Sequence, residues 1–286
     1  MTGDTVRLTY RPPFDWRAML RFLGARTLEG VEWIGKERYW RTVQVGEHTG
    51  WISVRHVPEE HALLAEVAHS LTPVLPAVRE RLRHLFDLSA RPDVIAATLA
   101  QDERLATVVR QNPGLRVPGA FDGFELAMRA ILGQQITVKA ATTLAGRLVD
   151  AFGDEYRTPH ASLTRLSPRA ERIAVTKVGE LASLGIIGAR ARSIVAIAEA
   201  VASGQLRLEA GAPPDETMAR LTAIPGIGPW TAGYIAMRAL RWPDAFLRGD
   251  LVVRNRLGGV TAAHAEALSQ AWRPWRSYAT VYLWQS

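Results

Sequence analysis

Cysteine is absent from all 286 residues. Disulfides, thiolate metal sites, iron–sulfur clusters and a cysteine nucleophile are therefore excluded. Lysine is nearly as scarce, since Lys36, Lys139 and Lys177 are the only three. No uncharged apolar run reaches the roughly 18 residues that a membrane-spanning helix needs. The opening MTGDTVRLTY lacks the basic stretch and apolar core of a signal peptide, so a cytoplasmic location is expected. The histidines (His48, His56, His61, His69, His84, His160 and His264) show no metal-like spacing. No phosphate-loop or dinucleotide fingerprint is present, and neither a metal site nor a cofactor is expected.

What remains is a globular composition, 48% apolar and 22% charged, long enough for one large or two ordinary domains. The net charge is +7 and is carried almost wholly by arginine. Such a balance favours a polyanionic partner, because each neutralised phosphate releases condensed counterions. A GC-rich genome that encodes arginine in place of lysine accounts for the composition equally well.

Residues 1–88 read as a mixed unit. Thr5–Tyr10, Arg38–Val45 and Gly50–Arg55 alternate as half-buried strands. Trp16–Arg26 carries Met19, Leu20, Phe22 and Leu23 on one helical face, and a helical pattern runs from Glu59 to Phe86 with a break at Leu71-Thr72-Pro73. The expected order is β-α-β-β-α, a small antiparallel sheet with helices on one face. From residue 89 to 286 strand signals vanish. Helices are predicted over 93–100, 102–111, 121–132, 137–152, 165–183 (with a break at Arg169), 189–203, 215–223, 229–241, 250–257, 262–271 and 274–284. The fold class is thus α+β, a sheet domain (1–88) followed by a mainly helical domain (89–286).

The sharpest local signal is Leu221-Thr-Ala-Ile-Pro-Gly-Ile-Gly-Pro-Trp-Thr-Ala232. One helix stops at Ile224, a Pro-Gly-Ile-Gly turn follows, and Pro229 opens the next helix in the first-turn position it favours. Gly226 and Gly228 strip side chains from the tip, so that backbone N–H groups there can hold a phosphate. This resembles a helix-hairpin-helix motif, which grips DNA by its backbone without reading sequence. An ordinary Gly-rich corner is the alternative. A weaker echo at Leu184-Gly-Ile-Ile-Gly-Ala-Arg-Ala191 lacks the proline and is expected to be a packing corner.

Twenty-two residues beyond Gly228 stands Asp250, directly before the apolar run Leu251-Val-Val. On its own it reads as a helix N-cap. That role is compatible with chemistry, because helix-end N–H groups also orient a carboxylate.

The hairpin followed by Asp250 resembles the helix-hairpin-helix/Gly-Pro-Asp DNA glycosylase superfamily, and in particular its 3-methyladenine DNA glycosylase II branch, the AlkA type. The resemblance runs the length of the chain: Arg11-Pro-Pro-Phe-Asp-Trp16 through Phe22-Leu-Gly-Ala-Arg26, then Gly114-Leu-Arg-Val-Pro-Gly119, Ala130-Ile-Leu-Gly-Gln134, the hairpin, the Asp250 segment and Trp272-Arg-Pro-Trp-Arg-Ser-Tyr278. It implies a TATA-binding-protein-like N-terminal domain and two helical subdomains flanking a cleft. It also implies a monomeric base-excision-repair enzyme that extrudes alkylated purines (3-methyladenine, 7-methylguanine and related bases) from duplex DNA and cuts the N-glycosidic bond. Asp250 would stabilise the sugar cation or orient water.

By the same resemblance Trp230, Tyr234, Trp284 and Phe22 line the base pocket, although core packing is the alternative for each aromatic. Trp284 lies two residues from the end of this sequence, where relatives run a little further, so weakened order is expected there. Bifunctional relatives place a Schiff-base lysine where this chain has Trp230, so no lyase activity is expected. The resemblance further implies DNA-binding positions at Gly226, Ile227, Gly228, Thr231, Gln134 and Gln135. Gln135 departs from the family pattern, which puts a leucine wedge there; a glutamine could still plug the stack and bond the orphaned base, the alternative being a merely solvated residue in the loop between helices. Arg238, Arg254, Arg273 and Arg276 are candidates for phosphate contacts, and the hairpin carbonyls for a structural monovalent cation.

Overall fold

The computed structural model describes residues 3–285. Five strands form one antiparallel sheet in the order β1-β5-β4-β3-β2, built from β1 (Gly3–Thr9), β2 (Glu32–Gly35), β3 (Arg38–Val45), β4 (His48–Val57) and β5 (Ala62–Ala68). Helices α1 (Trp16–Gly24) and α2 (Leu75–Leu85) pack on it, and Leu8, Leu20, Tyr39, Ile52, Leu63, Leu82 and Phe86 form the shared core.

Two strands depart from the sequence reading. The helix expected over Glu59–Phe86 is a helix only from Leu75; Ala62–Ala68 is a strand, followed by a 3-10 segment. The stretch Ala-Leu-Leu-Ala-Glu-Val-Ala is made largely of strong helix formers. Apolar residues on both faces also hide the alternation of buried Leu63, Ala65 and Val67. Pairing with β1 on one side and β4 on the other overrides propensity, which no local pattern registers. β2 escaped notice because it is a four-residue edge strand containing glutamate and glycine.

The helical part follows the expected spacing more closely: α3 (Pro92–Leu99), α4 (Glu103–Gln111), α5 (Gly123–Leu132), α6 (Val138–Phe152), α7 (Ala170–Ala174), α8 (Val178–Ser183), α9 (Gly188–Ala202), α10 (Pro214–Ala223), α11 (Pro229–Arg238), α12 (Leu251–Arg256), α13 (Ala262–Ser269) and α14 (Arg276–Gln285). The expected helical stretch 165–183 resolves into α7 and α8, because the chain turns at Val175 and Lys177 caps α8; residues 165–168 are not helical. Among the described residues no helix is long and apolar enough to cross a membrane.

Two helical cores result. One joins α5, α6, α7, α8 and α9 with the hairpin through Leu221, Ile227, Ala232 and Ile235. The other joins α3, α4, α12 and α14 with Ala236, Met237 and Leu240. Helix α11 belongs to both, because successive residues at about 100° present different faces.

Charged groups tie the sheet to the helices. Glu32 on β2 and Arg41 on β3 meet Glu125 and Arg129 on α5, with Arg41 to Glu125 at 2.8 Å, Arg129 to Glu32 at 3.0 Å and Arg129 to Glu125 at 3.3 Å. Two carboxylates and two guanidiniums balance, so no buried charge is left uncompensated. Burial would raise the Glu32 carboxyl, yet Arg129, Arg41 and the Tyr39 hydroxyl together hold it below its ordinary range. Arg129 also donates to the Arg26 carbonyl just beyond α1, which fixes the end of that helix against α5. Farther along, Tyr278 donates to Asp87 at 2.7 Å, and the Nε2 of His84 lies 2.8 Å from the Arg238 carbonyl.

Candidate active site

Four aromatic side chains converge where the three cores adjoin. Phe22 comes from α1, Trp230 and Tyr234 from one face of α11 at i and i+4, and Trp284 from the last turn of α14. Trp230 and Tyr234 stack with centroids 5.3 Å apart and planes within 9°. Trp284 lies 6.4 Å from Tyr234 and 6.2 Å from Phe22.

Asp250 sits among them, N-capping α12, with only 8% of its surface exposed. Its Oδ1 accepts from the Val253 backbone N–H at 3.0 Å and from the Trp284 indole at 3.3 Å, while Oδ2 accepts from the Trp230 indole at 3.0 Å. Three donors from three elements therefore fix the plane of one carboxylate. The cap and the aromatic contacts coexist on the same group, so capping leaves the chemical reading open. Trp284, expected to be poorly ordered, is half-buried and held by this bond within α14.

The opposite side of the aromatic set is cationic. The Arg26 guanidinium lies 3.9 Å from the Phe22 ring centroid, and that of Arg238 lies 4.9 Å from it. Arg238 also donates to the Tyr234 hydroxyl at 2.6 Å. Burial opposes ionisation of the Tyr234 phenol, but Arg238, Arg26 and Arg129 outweigh it and bring its pKa below the ordinary value. The sequence reading assigns Arg26 no role and makes Arg238 only a candidate for a phosphate contact. Their spacing was the available signal: Arg26 is four residues after Phe22, and Arg238 four after Tyr234.

At the hairpin, α10 ends at Ala223 and α11 begins at Pro229. Gly226 adopts φ +88°, and a Cβ there would lie 2.4 Å from Ser193 Oγ on α9. The Ile227 side chain is buried at 3% exposure and its N–H bonds to the Ile224 carbonyl, so it anchors the turn from within. Gly228 is exposed and N-caps α11, whose first-turn N–H groups lack partners inside the helix. Thr231 is buried and lies 3.0 Å from Nε2 of Gln134, which also reaches the Gly226 carbonyl at 2.9 Å. Gln134 is thus turned into the protein, whereas Gln135 is exposed in the α5–α6 loop with φ +57°.

The arginines proposed for phosphate contacts divide. Arg238 and Arg276 are buried and spend their donors inside, the first on the Pro118 and Gly119 carbonyls and Tyr234, the second on Asp244 and Glu266. That expectation is corrected for both: guanidiniums so engaged have no fork left for DNA. Arg273 is half-exposed and pairs with Asp244, while Arg254 bonds the Val260 carbonyl. The glycine-rich echo is the α8–α9 corner, where Ile186 is buried and Gly185 takes φ +89°. Among the described residues no cluster of side chains has the make-up of a metal site.

Residues 5–122 match the AlkA N-terminal domain, and residues 128–277 match the HhH-GPD superfamily of base excision DNA repair proteins. The DNA-3-methyladenine glycosylase 2 of Escherichia coli K12 is 34% identical over 277 residues, covering 97% of this chain and 95% of that protein. A probable bifunctional transcriptional activator/DNA repair enzyme AlkA of Mycobacterium tuberculosis H37Rv is 38% identical over 284 residues. The chain spans only 56% of that relative's length. Among solved structures, a 3-methyladenine DNA-glycosylase from Archaeoglobus fulgidus superposes with a TM-score of 0.82 at 22% identity, covering 97% of this chain and 96% of that one; it establishes the shared fold.

Proposed function

Because the chain belongs to the HhH-GPD superfamily and carries the AlkA N-terminal domain, we propose that it is a monofunctional DNA glycosylase that excises alkylated purines from duplex DNA. The observation that carries the reading is Asp250, a nearly buried carboxylate gripped by the Trp230 and Trp284 indoles within a four-ring aromatic set.

Hydrolysis of an N-glycosidic bond builds positive charge on the deoxyribose. A carboxylate whose plane is already fixed stabilises that charge without reorganising as it forms, and single groups of this kind contribute about 3–4 kcal/mol. A base inside a duplex lies beyond reach, so the nucleotide must be extruded toward the aromatic set. Phe22 already carries Arg26 and Arg238 against its ring. The Trp230 and Trp284 indoles are then the surfaces that receive a purine made cationic by N3 or N7 alkylation. Desolvated cation–π contacts contribute about 2 kcal/mol, and they discriminate against neutral purines.

Two further features support the assignment. Lys36 lies between β2 and β3, Lys139 at the start of α6 and Lys177 before α8, whereas α11 bears Trp230 at the position of the lyase amine. The exposed hairpin tip and the +7 net charge suit a phosphate backbone held without sequence readout, by a monomer working in the cytoplasm. A monovalent cation at the hairpin meets a crowded donor set. The Ile224, Pro225 and Gly226 carbonyls already accept from Ile227 N–H, Ser193 and Gln134. No step of the proposed reaction runs through it.

The test is base release from methylated genomic DNA, resolved by chromatography, together with borohydride trapping. Free 3-methyladenine and 7-methylguanine without a covalent enzyme–DNA adduct are expected. A trapped adduct would overturn the monofunctional assignment, and no released base would overturn the activity.

A further inference from the structure

Gln134 does more than face inward. Its side-chain amide spends both N–H bonds on the hairpin, 2.9 Å to the Gly226 carbonyl and 3.0 Å to Thr231 Oγ1. Its own backbone carbonyl accepts from Arg190, a buried arginine on α9. From the same helix Ser193, fully buried, donates to the Pro225 carbonyl at 2.7 Å. Loop, hairpin and α9 are therefore joined through a handful of polar bonds, and Gln134 takes part in three of them.

The consequence falls on the next residue. The carbonyl held by Arg190 belongs to the peptide plane that leads into Gln135, and the Gln134 side chain is pinned on the hairpin. Rotation of that plane would break the Arg190 bond, so the plane is fixed at both ends of Gln134. Gln135 departs from it with φ +57°, a left-handed conformation that non-glycine residues adopt only when their surroundings impose it. Its exposed side chain is thereby aimed relative to the hairpin tip.

We propose that Gln134 is a positioning residue that locks the Gln135 loop to the hairpin, so that engagement of a phosphate at the hairpin presents Gln135 to the base stack in one orientation. The proposal rests on the reading of the chain as a DNA glycosylase. It assigns Gln134 to base extrusion, acting through Gln135, and gives Arg190 the supporting role of holding the carbonyl. Both amide contacts are donated, so the isosteric apolar side chain of methionine fills the space and loses them.

The experiment measures single-turnover excision, affinity for an abasic-analogue duplex by fluorescence anisotropy, and extrusion by the emission of a fluorescent base paired at the target site. Gln134→Met is expected to slow extrusion and excision about tenfold, while affinity for the abasic analogue, which needs no extrusion, stays within about threefold. Gln135→Ala slows extrusion as well, and Gln134→Met/Gln135→Ala is expected to be no slower than Gln135→Ala alone, because both changes act on one event. Should the two effects multiply, or should Gln134→Met extrude at the wild-type rate, the coupling is refuted. Thr231→Val removes one contact only and is expected to reproduce a smaller part of the defect if the methionine variant folds poorly; a normal extrusion rate there also refutes it. Extrusion and affinity are read without base release, so a wild-type protein that releases no alkylpurine sinks the enzymatic reading and leaves this test standing.

Discussion

Asp250 caps α12, and under the proposed function it also stabilises the sugar cation; substitution separates the two roles. Asparagine is as good an N-cap as aspartate. In Asp250→Asn the amide oxygen can keep both contacts of Oδ1, to the Val253 N–H and the Trp284 indole. Its –NH2 then faces the Trp230 indole N–H across 3.0 Å, donor against donor. One unpaired donor at a largely buried site costs about 1–3 kcal/mol of stability. Loss of the negative charge removes about 3–4 kcal/mol from the transition state, equivalent to roughly 10²–10³-fold in rate. Asp250→Ala loses the cap as well, a further 0.5–2 kcal/mol or about that. The two variants should thus differ in thermal stability, alanine being the lower, while sharing the same deep loss of excision. Single-turnover release of 7-methylguanine, followed by chromatography, gives the rate; anisotropy on an abasic-analogue duplex shows that DNA is still bound. Excision by the asparagine variant within tenfold of wild type would refute the electrostatic role and leave Asp250 as a cap alone.

Gly226→Ala should weaken DNA binding and lower the melting temperature. Its φ of +88° is strained for alanine by about 1–2 kcal/mol, and the new Cβ would stand 2.4 Å from Ser193 Oγ. Adding Ser193→Ala relieves the collision but not the backbone strain, so partial recovery of the melting temperature is expected; no recovery would contradict the packing described. The buried pair His84 and Asp87 should give opposed pH dependences. Burial pushes the Asp87 carboxyl up to about 6, so its contribution is present below its unfolded value of 3.8 and lost as pH rises through 6. Burial also holds His84 down at about 4, so its contribution is present above 6.5 and lost as pH falls through 4. Chemical denaturation across this window should show Asp87→Asn gaining about 3 kcal/mol on wild type between pH 4 and 6; a constant difference would show that Asp87 does not titrate there.

How much of this was legible in the sequence varies with the range of the interactions involved. The hairpin was readable because Pro225 and Pro229 fix their own φ, while Gly226 and Gly228 permit the backbone angles the turn needs, whatever surrounds them. The cap at Asp250 was local for the same reason. Strand β5 was not legible, since its alanines and leucines favour a helix until β1 and β4 pair with it. Nor was the inward turn of Gln134, whose partners lie 92 and 97 residues away. The arginines on the Phe22 ring fall between these cases: helical spacing puts Arg26 beside Phe22, but only the tertiary fold brings Arg238 of α11 to the same ring.

Helix α11 contributes to both helical cores while carrying two of the four rings around Asp250, and Phe22 is lent by the sheet domain. No single core owns this aromatic set. A partly unravelled molecule, with any one of the three cores detached, would keep most of its secondary structure and look nearly intact to circular dichroism, yet would have lost one side of the aromatic set around Asp250. Under rising temperature or denaturant, turnover should therefore fail before ellipticity does, and a catalytic assay becomes the more sensitive gauge of whether the whole chain is assembled.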